Sequence, residues 1–257
     1  MDVQTTPGTQ SLDRLFQIIE TMSESPKGIA LADLCTDTGL PKSTVSRMLS
    51  ALVSHSYAMQ DPDSKRYRLT TRLFEIGCRV AGSSNILTIA RPYMEALSSR
   101  TGEVVHLVSR VDDDVIYLHK EEPVSSMVAY MSSYVGRRNA MYCTGVGKCI
   151  LAYLSDAEFQ AYWSRITPIP FTAHTITSFS GMQGELIRIR ERGYAIDNEE
   201  HEHGIRCIAA PVLDYNGNPV AAISLSASVS HLDDAHICDY APLLLDVTHN
   251  ISRYYGR

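Results

Sequence analysis

Between Gly39 and Leu52 the alternation of apolar and polar positions has one clear period. Val45, Met48, Leu49 and Leu52 recur at i, i+3, i+4 and i+7, the buried stripe of an α-helix. Lys42, Ser43, Ser46, Arg47 and Ser50 lie off that stripe. Gly39 closes a short helix expected over residues 31–36 and opens a turn, and Pro41 stands where the missing N–H of a first helical turn costs nothing. Short hydroxyls and cations at a helix N-terminus are the side chains that bind phosphates and reach base edges. Helix, tight turn and cationic second helix together have the form of a helix-turn-helix with its recognition helix running to about residue 55. A solvated, serine-rich surface helix would show the same pattern.

On either side the pattern continues. Residues 11–22 form an amphipathic helix with Leu12, Leu15, Phe16 and Ile19 on one face and Ser11 as the expected N-cap. Residues 25–28 break it, and residues 29–31 add a short extended or turn segment. Residues 57–60 and 65–69 are two extended runs around the Asp61-Pro62-Asp63-Ser64 turn, a β-hairpin placed as a wing with Lys65 and Arg66 at its tip. A solvated turn that is merely basic is the alternative. Residues 71–81 return to a helical period, and the small polar stretch 82–85 is the expected linker. A helix over 86–101 follows, then strands over 103–110 and 115–120 around a turn at 111–114, and an extended segment over 127–131. Residues 136–144 read as irregular. Helices are expected at 146–154, 156–165, 181–192 and 233–255, and strands at 194–197, 206–213 and 219–227, the last two joined by an Asn-Gly turn. Residues 171–180 read as a loop with a short extended segment and carry no chemistry. The sum is an α+β chain whose second part mixes strands with helices on the outside, an α+β sheet domain.

Charge changes this picture in one place. The net charge is −6, which taken alone opposes nucleic-acid binding. Yet Lys42, Arg47, Lys65, Arg66, Arg68 and Arg72 face only Asp61 and Asp63, an excess of four positive charges within residues 42–72. The field at the contact face is what a polyanion meets, so an acidic body with one basic patch is compatible with DNA. The 257 residues suffice for two domains, and 44% hydrophobic with 20% charged content is ordinary for a globular protein. No apolar run approaches a membrane span, and the polar residues 1–10 read as a disordered arm rather than a signal peptide. The six cysteines form no CxxC pair, so a reducing cytoplasm without a disulfide framework is the simplest setting.

The residues quoted next carry a resemblance. Residues 11–77, with the Leu40-Pro41-Lys42-Ser43-Thr44-Val45 run and the Tyr67-Arg68-Leu69-Thr70 strand end, resemble the winged helix-turn-helix domain of the IclR family of bacterial transcriptional regulators. Gly136-Arg137-Arg138, Cys143-Thr144-Gly145-Val146-Gly147-Lys148, the Asp197 to Ala209 run and Ala221-Ala222-Ile223-Ser224-Leu225-Ser226 resemble its effector domain. The look is nearest to regulators of sugar-acid and hexuronate breakdown, although Ala140 stands after Asn139 where a proline is usual. The resemblance implies an arm at 1–10, a winged helix-turn-helix domain at 11–70, a linker helix at 71–84 and a GAF-like effector-binding domain at 85–257. It implies a homodimer or dimer of dimers on a double-stranded operator. It also implies a non-enzymatic repressor tuned by a small acid, a sugar acid or keto acid, without cofactor or metal. Lys42, Ser43, Thr44, Ser46, Arg47, Ser50, Lys65 and Arg66 are the expected DNA contacts.

For the effector the resemblance points to Asp197, Cys207, Ser224 and Ser226, with Gly136 and Arg137 closing over them and His119 and Met141 as further wall residues. Ser224 and Ser226 are two apart on a strand and share a face, with Ile223 and Leu225 on the other. Polar residues on an inward face need partners, and either a ligand or the neighbouring backbone supplies them. Glycines at 136 and 145–147 can present N–H groups to an anion at a helix start, or can serve turn geometry alone. Asp197, a carboxylate, is expected to accept from ligand hydroxyls, leaving the ligand's own carboxylate to Arg137 or to N–H groups near Gly136. The alternative is an enzyme with an appended DNA module, using Cys207 as nucleophile beside His201 or His203, or a metal held by these three.

Overall fold

The computed structural model describes residues 10–82, 85–123 and 132–257. The chain divides into two compact units, Met1–Ser83 and Ser84–Arg257. The arm expected over 1–10 lies outside the described residues apart from Gln10. So do the expected extended segment 127–131 and the serines of the expected linker.

The first unit follows its hydrophobic periods. Helix α1 (Gln10–Ser23) buries Ile18 and Met22, α2 (Leu31–Thr38) buries Leu34, and α3 (Lys42–Ser54) buries Val45, Met48, Leu49 and Leu52. These side chains form one cluster with Ile29 and Ala58. Because α1 begins at Gln10, Ser11 lies inside its first turn and does not cap it. Gly39 adopts φ +66, a left-handed position that L side chains adopt at a cost, and donates its N–H to Thr36 O at the end of α2. The hairpin β1 (Ala58–Gln60) and β2 (Tyr67–Leu69) pairs Ala58 with Leu69, and Ile29 bridges Tyr67 on its other side. Helix α4 (Arg72–Gly82) closes this unit.

In the second unit, α5 (Asn85–Thr101) leads into an antiparallel sheet. Its strands are β3 (Val104–Val111), β4 (Asp114–Glu121), β5 (Arg138–Ala140), β6 (Ala195–Asn198), β7 (Ile205–Leu213) and β8 (Pro219–Ser228), in the order β5-β4-β3-β8-β7-β6. Side chains alternate across it. Val105, Leu107, Ile208, Ala210, Ile223 and Leu225 form one face with α5 and α9 (Asp234–Arg253). Val108, Ala209 and Ala222 form the other with α6 (Gly145–Ala152), α7 (Asp156–Arg165) and α8 (Phe179–Arg192). Residues 136–144, expected as irregular, contain β5 and a 3₁₀ turn over Met141–Cys143. Three residues on a sheet edge are fixed by pairing to Asp114, Val115 and Ile116 on β4, and no local period shows that. Among the described residues no helix is long and apolar enough to cross a membrane.

Candidate functional site

In the first unit, α3 turns its apolar stripe inward and leaves Lys42, Ser43, Ser46, Arg47 and Ser50 exposed, with Thr44 half-buried. Pro41 precedes the helix, and its carbonyl accepts from the N–H groups of Thr44 and Val45. The Ser50 hydroxyl donates to Ser46 O at 3.0 Å, so its proton stays within the helix. Lys65 sits at the hairpin bend with φ +57 and an exposed side chain. Arg66 turns back: its Nη1 donates to Gly28 O at 2.9 Å and its Nη2 lies 4.0 Å from Asp33. The Arg68 side chain, exposed on β2, makes no hydrogen bond or ion pair among the described residues, although its charge lowers the pKa of Asp61 after the Ser64 hydrogen bonds have done so. The sequence placed Arg68 in the basic patch without assigning it a contact. Strand alternation is the signal that exposes it.

In the second unit the polar residues of the α6 face gather at one end. Here a cavity of about 50 Å³ opens between strands β3 to β8 and the start of α6. Asp197, Cys207, Ser224 and Ser226 all line it. The pairings explain why: Asp197 lies opposite Cys207, Cys207 opposite Ser226, and Ser224 opposite His106. Gly145, at the start of α6, lines it too, whereas His119, Gly136, Arg137 and Met141 do not. His119 bonds Glu121 at 3.2 Å. Met141 is fully buried in the apolar cluster with Val146 and Cys149. Gly136 donates to Tyr117 O at 2.8 Å and Arg137 donates to Asn139 Oδ1 at 3.2 Å and to Ser132 O, so both border the cavity through neighbours that line it.

His106, Tyr117, Ser133 and Asn139 line the cavity and were missed. A lone polar residue between Val105 and Leu107 was the legible sign of His106. Burial, with Lys120 nearby, lowers its pKa to about 3, so the imidazole is neutral. Its Nε2 is 2.9 Å from Ser133 Oγ, and its Nδ1 is 3.4 and 3.3 Å from the hydroxyls of Ser224 and Ser226. Tyr117 meets its ring edge-on at 5.2 Å.

Behind Asp197 lies a buried ion pair. Lys148 on α6 is 1% exposed, and its Nζ donates to Ile196 O at 2.6 Å and to Glu200 Oε1. The N–H of Glu200 donates to Asp197 Oδ1 at 2.8 Å, while Glu200 Oε2 is buried without a partner. Burial raises the Asp197 pKa to about 7, against the pull of Lys148 and with Glu200 adding to the rise. Burial likewise raises Glu200, opposed by Lys148.

The enzymatic alternative fails on this geometry. Burial, then the charge of Asp197, pushes the Cys207 thiol far above the ordinary range, the opposite of an activated nucleophile. His201 lies 3.7 Å from Cys143 instead, and His203 is exposed. Residues 199–204 form a turn, so the two histidines gain no shared strand face. Among the described residues no group of three or more His, Cys, Asp or Glu side chains is disposed to hold a metal.

Residues 11–62 match the family model described as the IclR helix-turn-helix domain, and residues 78–253 match that of the bacterial transcriptional regulator IclR C-terminal domain. The DNA-binding transcriptional repressor YiaJ of Escherichia coli (strain K12) is 41% identical over 227 residues, 88% of this chain and 80% of that protein. The HTH-type transcriptional regulator KdgR of the same organism is 32% identical over 246 residues, 96% of this chain and 92% of its own. The crystal structure of the Thermotoga maritima IclR superposes with a TM-score of 0.80 at 31% identity, covering 97% of this chain and all of that one. These relatives are regulators, not enzymes.

Proposed function

The chain belongs to the IclR family of DNA-binding transcriptional regulators, and on that premise we propose that it is a cytoplasmic repressor whose hold on an operator is set by a small acidic metabolite, a sugar acid or a related keto acid. The observation that carries the DNA half is the exposed Lys42, Ser43, Ser46 and Arg47 face of α3, opposite a fully engaged apolar stripe. The effector half is supported by the cavity, where His106, Tyr117, Asn139, Cys207, Ser224 and Ser226 line one space with Asp197 and the start of α6.

Arg47→Ala should weaken operator binding by about 1–3 kcal/mol when Arg47 meets a base edge. Lys65→Ala and Arg68→Ala should weaken binding to all sequences alike and each flatten the salt slope by about one unit, while Arg66→Ala, whose guanidinium is held by Gly28 O, should change it less. Fluorescence anisotropy over a salt series reads all four, and an Arg47→Ala protein that binds as wild type does would overturn the recognition-helix assignment.

Assembly follows from the same unit. A winged domain reads one half-site, so a palindrome needs two copies. Leu12 and Phe16 on α1 are 52% and 59% exposed and Phe74 on α4 is 72% exposed, apolar surface suited to a second chain. Light scattering at micromolar concentration should show at least a dimer. A species of 28.5 kDa alone would contradict this.

A further inference from the structure

The resemblance makes Arg66 a DNA contact, yet its guanidinium points back into the first unit. Nη1 donates to Gly28 O at 2.9 Å, a carbonyl thirty-eight residues earlier in the chain. Nη2 lies 4.0 Å from Asp33, in the first turn of α2. Both side chains are about half exposed, so their attraction is weak. Their charges nevertheless compensate, and together they offer little field to a polyanion. Lys65 and Arg68 remain exposed on the same hairpin.

The carbonyl that Arg66 holds belongs to the joint between hairpin and helix-turn-helix. Ile29 and Tyr67 exchange both backbone hydrogen bonds, 2.8 Å each, so the segment before α2 lies as one bridged pair beside β2. Gly28 enters this joint at φ +93, which L side chains adopt at a cost. A Cβ there would lie 3.2 Å from Arg66 Cβ and 3.3 Å from Tyr67 O, so the two segments are in close approach. A single bridged pair acts as a hinge. The bond from Arg66 to Gly28 O adds a third point of attachment beside it.

We propose that Arg66 is a positioning residue: it fixes the wing against the turn before α2 by bonding Gly28 O, Asp33 compensates its charge, and it binds no phosphate itself. This rests on the reading of the chain as an operator-binding regulator, and it replaces the expectation that Arg66 contacts DNA. The wing then reaches the duplex already ordered, with Lys65 and Arg68 left to meet the backbone. Without the Gly28 bond the wing has to be ordered on binding. That loss lowers affinity but leaves the number of neutralised phosphates as it was.

Two measurements on the full chain test this. The first is fluorescence anisotropy over a salt series, on an operator selected from a random duplex pool, with Arg66→Ala and Lys65→Ala beside wild type. Arg66→Ala should bind about two- to tenfold more weakly, the worth of one net hydrogen bond. Its slope of log affinity against log salt should stay within about half a unit of wild type, whereas Lys65→Ala should lower the slope by about one unit. The second is amide hydrogen exchange in the free protein, followed by nuclear magnetic resonance. Exchange at Ile29 and Tyr67 should quicken in Arg66→Ala and stay as in wild type in Lys65→Ala, with Leu49 in the core of the first unit unchanged in both. A salt slope that falls by about one unit in Arg66→Ala would make Arg66 a phosphate contact and overturn the proposal. Wild-type affinity in Arg66→Ala would overturn it too, as would wild-type exchange at Ile29 and Tyr67. Arg66→Gln removes the same charge and gives the same reading of the slope where the alanine variant does not fold. Failure of the regulator reading shows separately, as wild-type DNA affinity indifferent to salt and to Arg47→Ala, and the exchange measurement still decides whether Arg66 holds the wing.

Discussion

Lys148→Met is expected to destabilise the second unit by about 3–5 kcal/mol, because it leaves Glu200 buried and uncompensated. Methionine has nearly the same length, so the loss reads charge and hydrogen bonds rather than a cavity. The Ile196 carbonyl loses its donor at the same time. The deficit should depend on pH with a definite sign. Lys148 lowers the pKa values of both Asp197 and Glu200 against burial. Without it both rise further, the folded state binds more protons than the unfolded chain, and stability falls as pH rises. The deficit should therefore be smallest near pH 4 and largest above neutrality. Adding Glu200→Gln removes the stranded charge and should recover much of the loss. Trp163, the chain's single tryptophan, packs against Phe159 and Phe179 in this unit, so its fluorescence during urea unfolding follows the second unit specifically. An unchanged midpoint for Lys148→Met would show that the pair contributes nothing net.

Gly147→Ala should cost about 3 kcal/mol or more. A Cβ at Gly147 would overlap the Met141 backbone, its Cα and its carbonyl, and no side-chain rotation relieves a clash with backbone. Helix α6 would have to lift from the 3₁₀ turn, and the same movement would displace Thr144, Gly145 and Val146 at the cavity. Gly77→Ala is the internal contrast. It is an exposed position of α4 with nothing within 4 Å of a new Cβ, and alanine's helix preference should stabilise the first unit by up to about 1 kcal/mol. Far-UV circular dichroism and Trp163 fluorescence together separate the two outcomes. A well-folded Gly147→Ala protein with wild-type midpoint would mean that α6 sits farther from Met141 than described.

What was legible in the sequence was whatever rests on a local period. The stripe of Val45, Met48, Leu49 and Leu52 places α3 and its polar face together, because one rotation per 3.6 residues settles both. Ser224 and Ser226 share a face for the same reason at period two. What was not legible depends on pairing between distant segments. β5 exists because Arg138, Asn139 and Ala140 pair with Ile116, Val115 and Asp114 of β4. His106 enters the cavity because its strand lies beside β8 in a particular register. Gly136, Arg137, Met141 and His119 came from the resemblance, and a shift of one or two residues sends a side chain to core or rim. Arg66 shows the same limit at the wing: its position is exposed, but the carbonyl that turns it inward belongs to Gly28, thirty-eight residues away. The pKa of Asp197 lies beyond any pattern, since it depends on three segments converging at one buried point.

The measurement that bears most directly on the account is selection of duplex DNA from a random pool by the full chain, followed by anisotropy on the enriched sequence with wild type and Arg47→Ala. The account predicts enrichment of an inverted repeat, tight binding by wild type that weakens steeply with salt, and a loss of about ten- to a hundredfold in Arg47→Ala on that sequence. A pool that yields no enriched sequence, or an enriched sequence that Arg47→Ala binds as tightly as wild type, would contradict it.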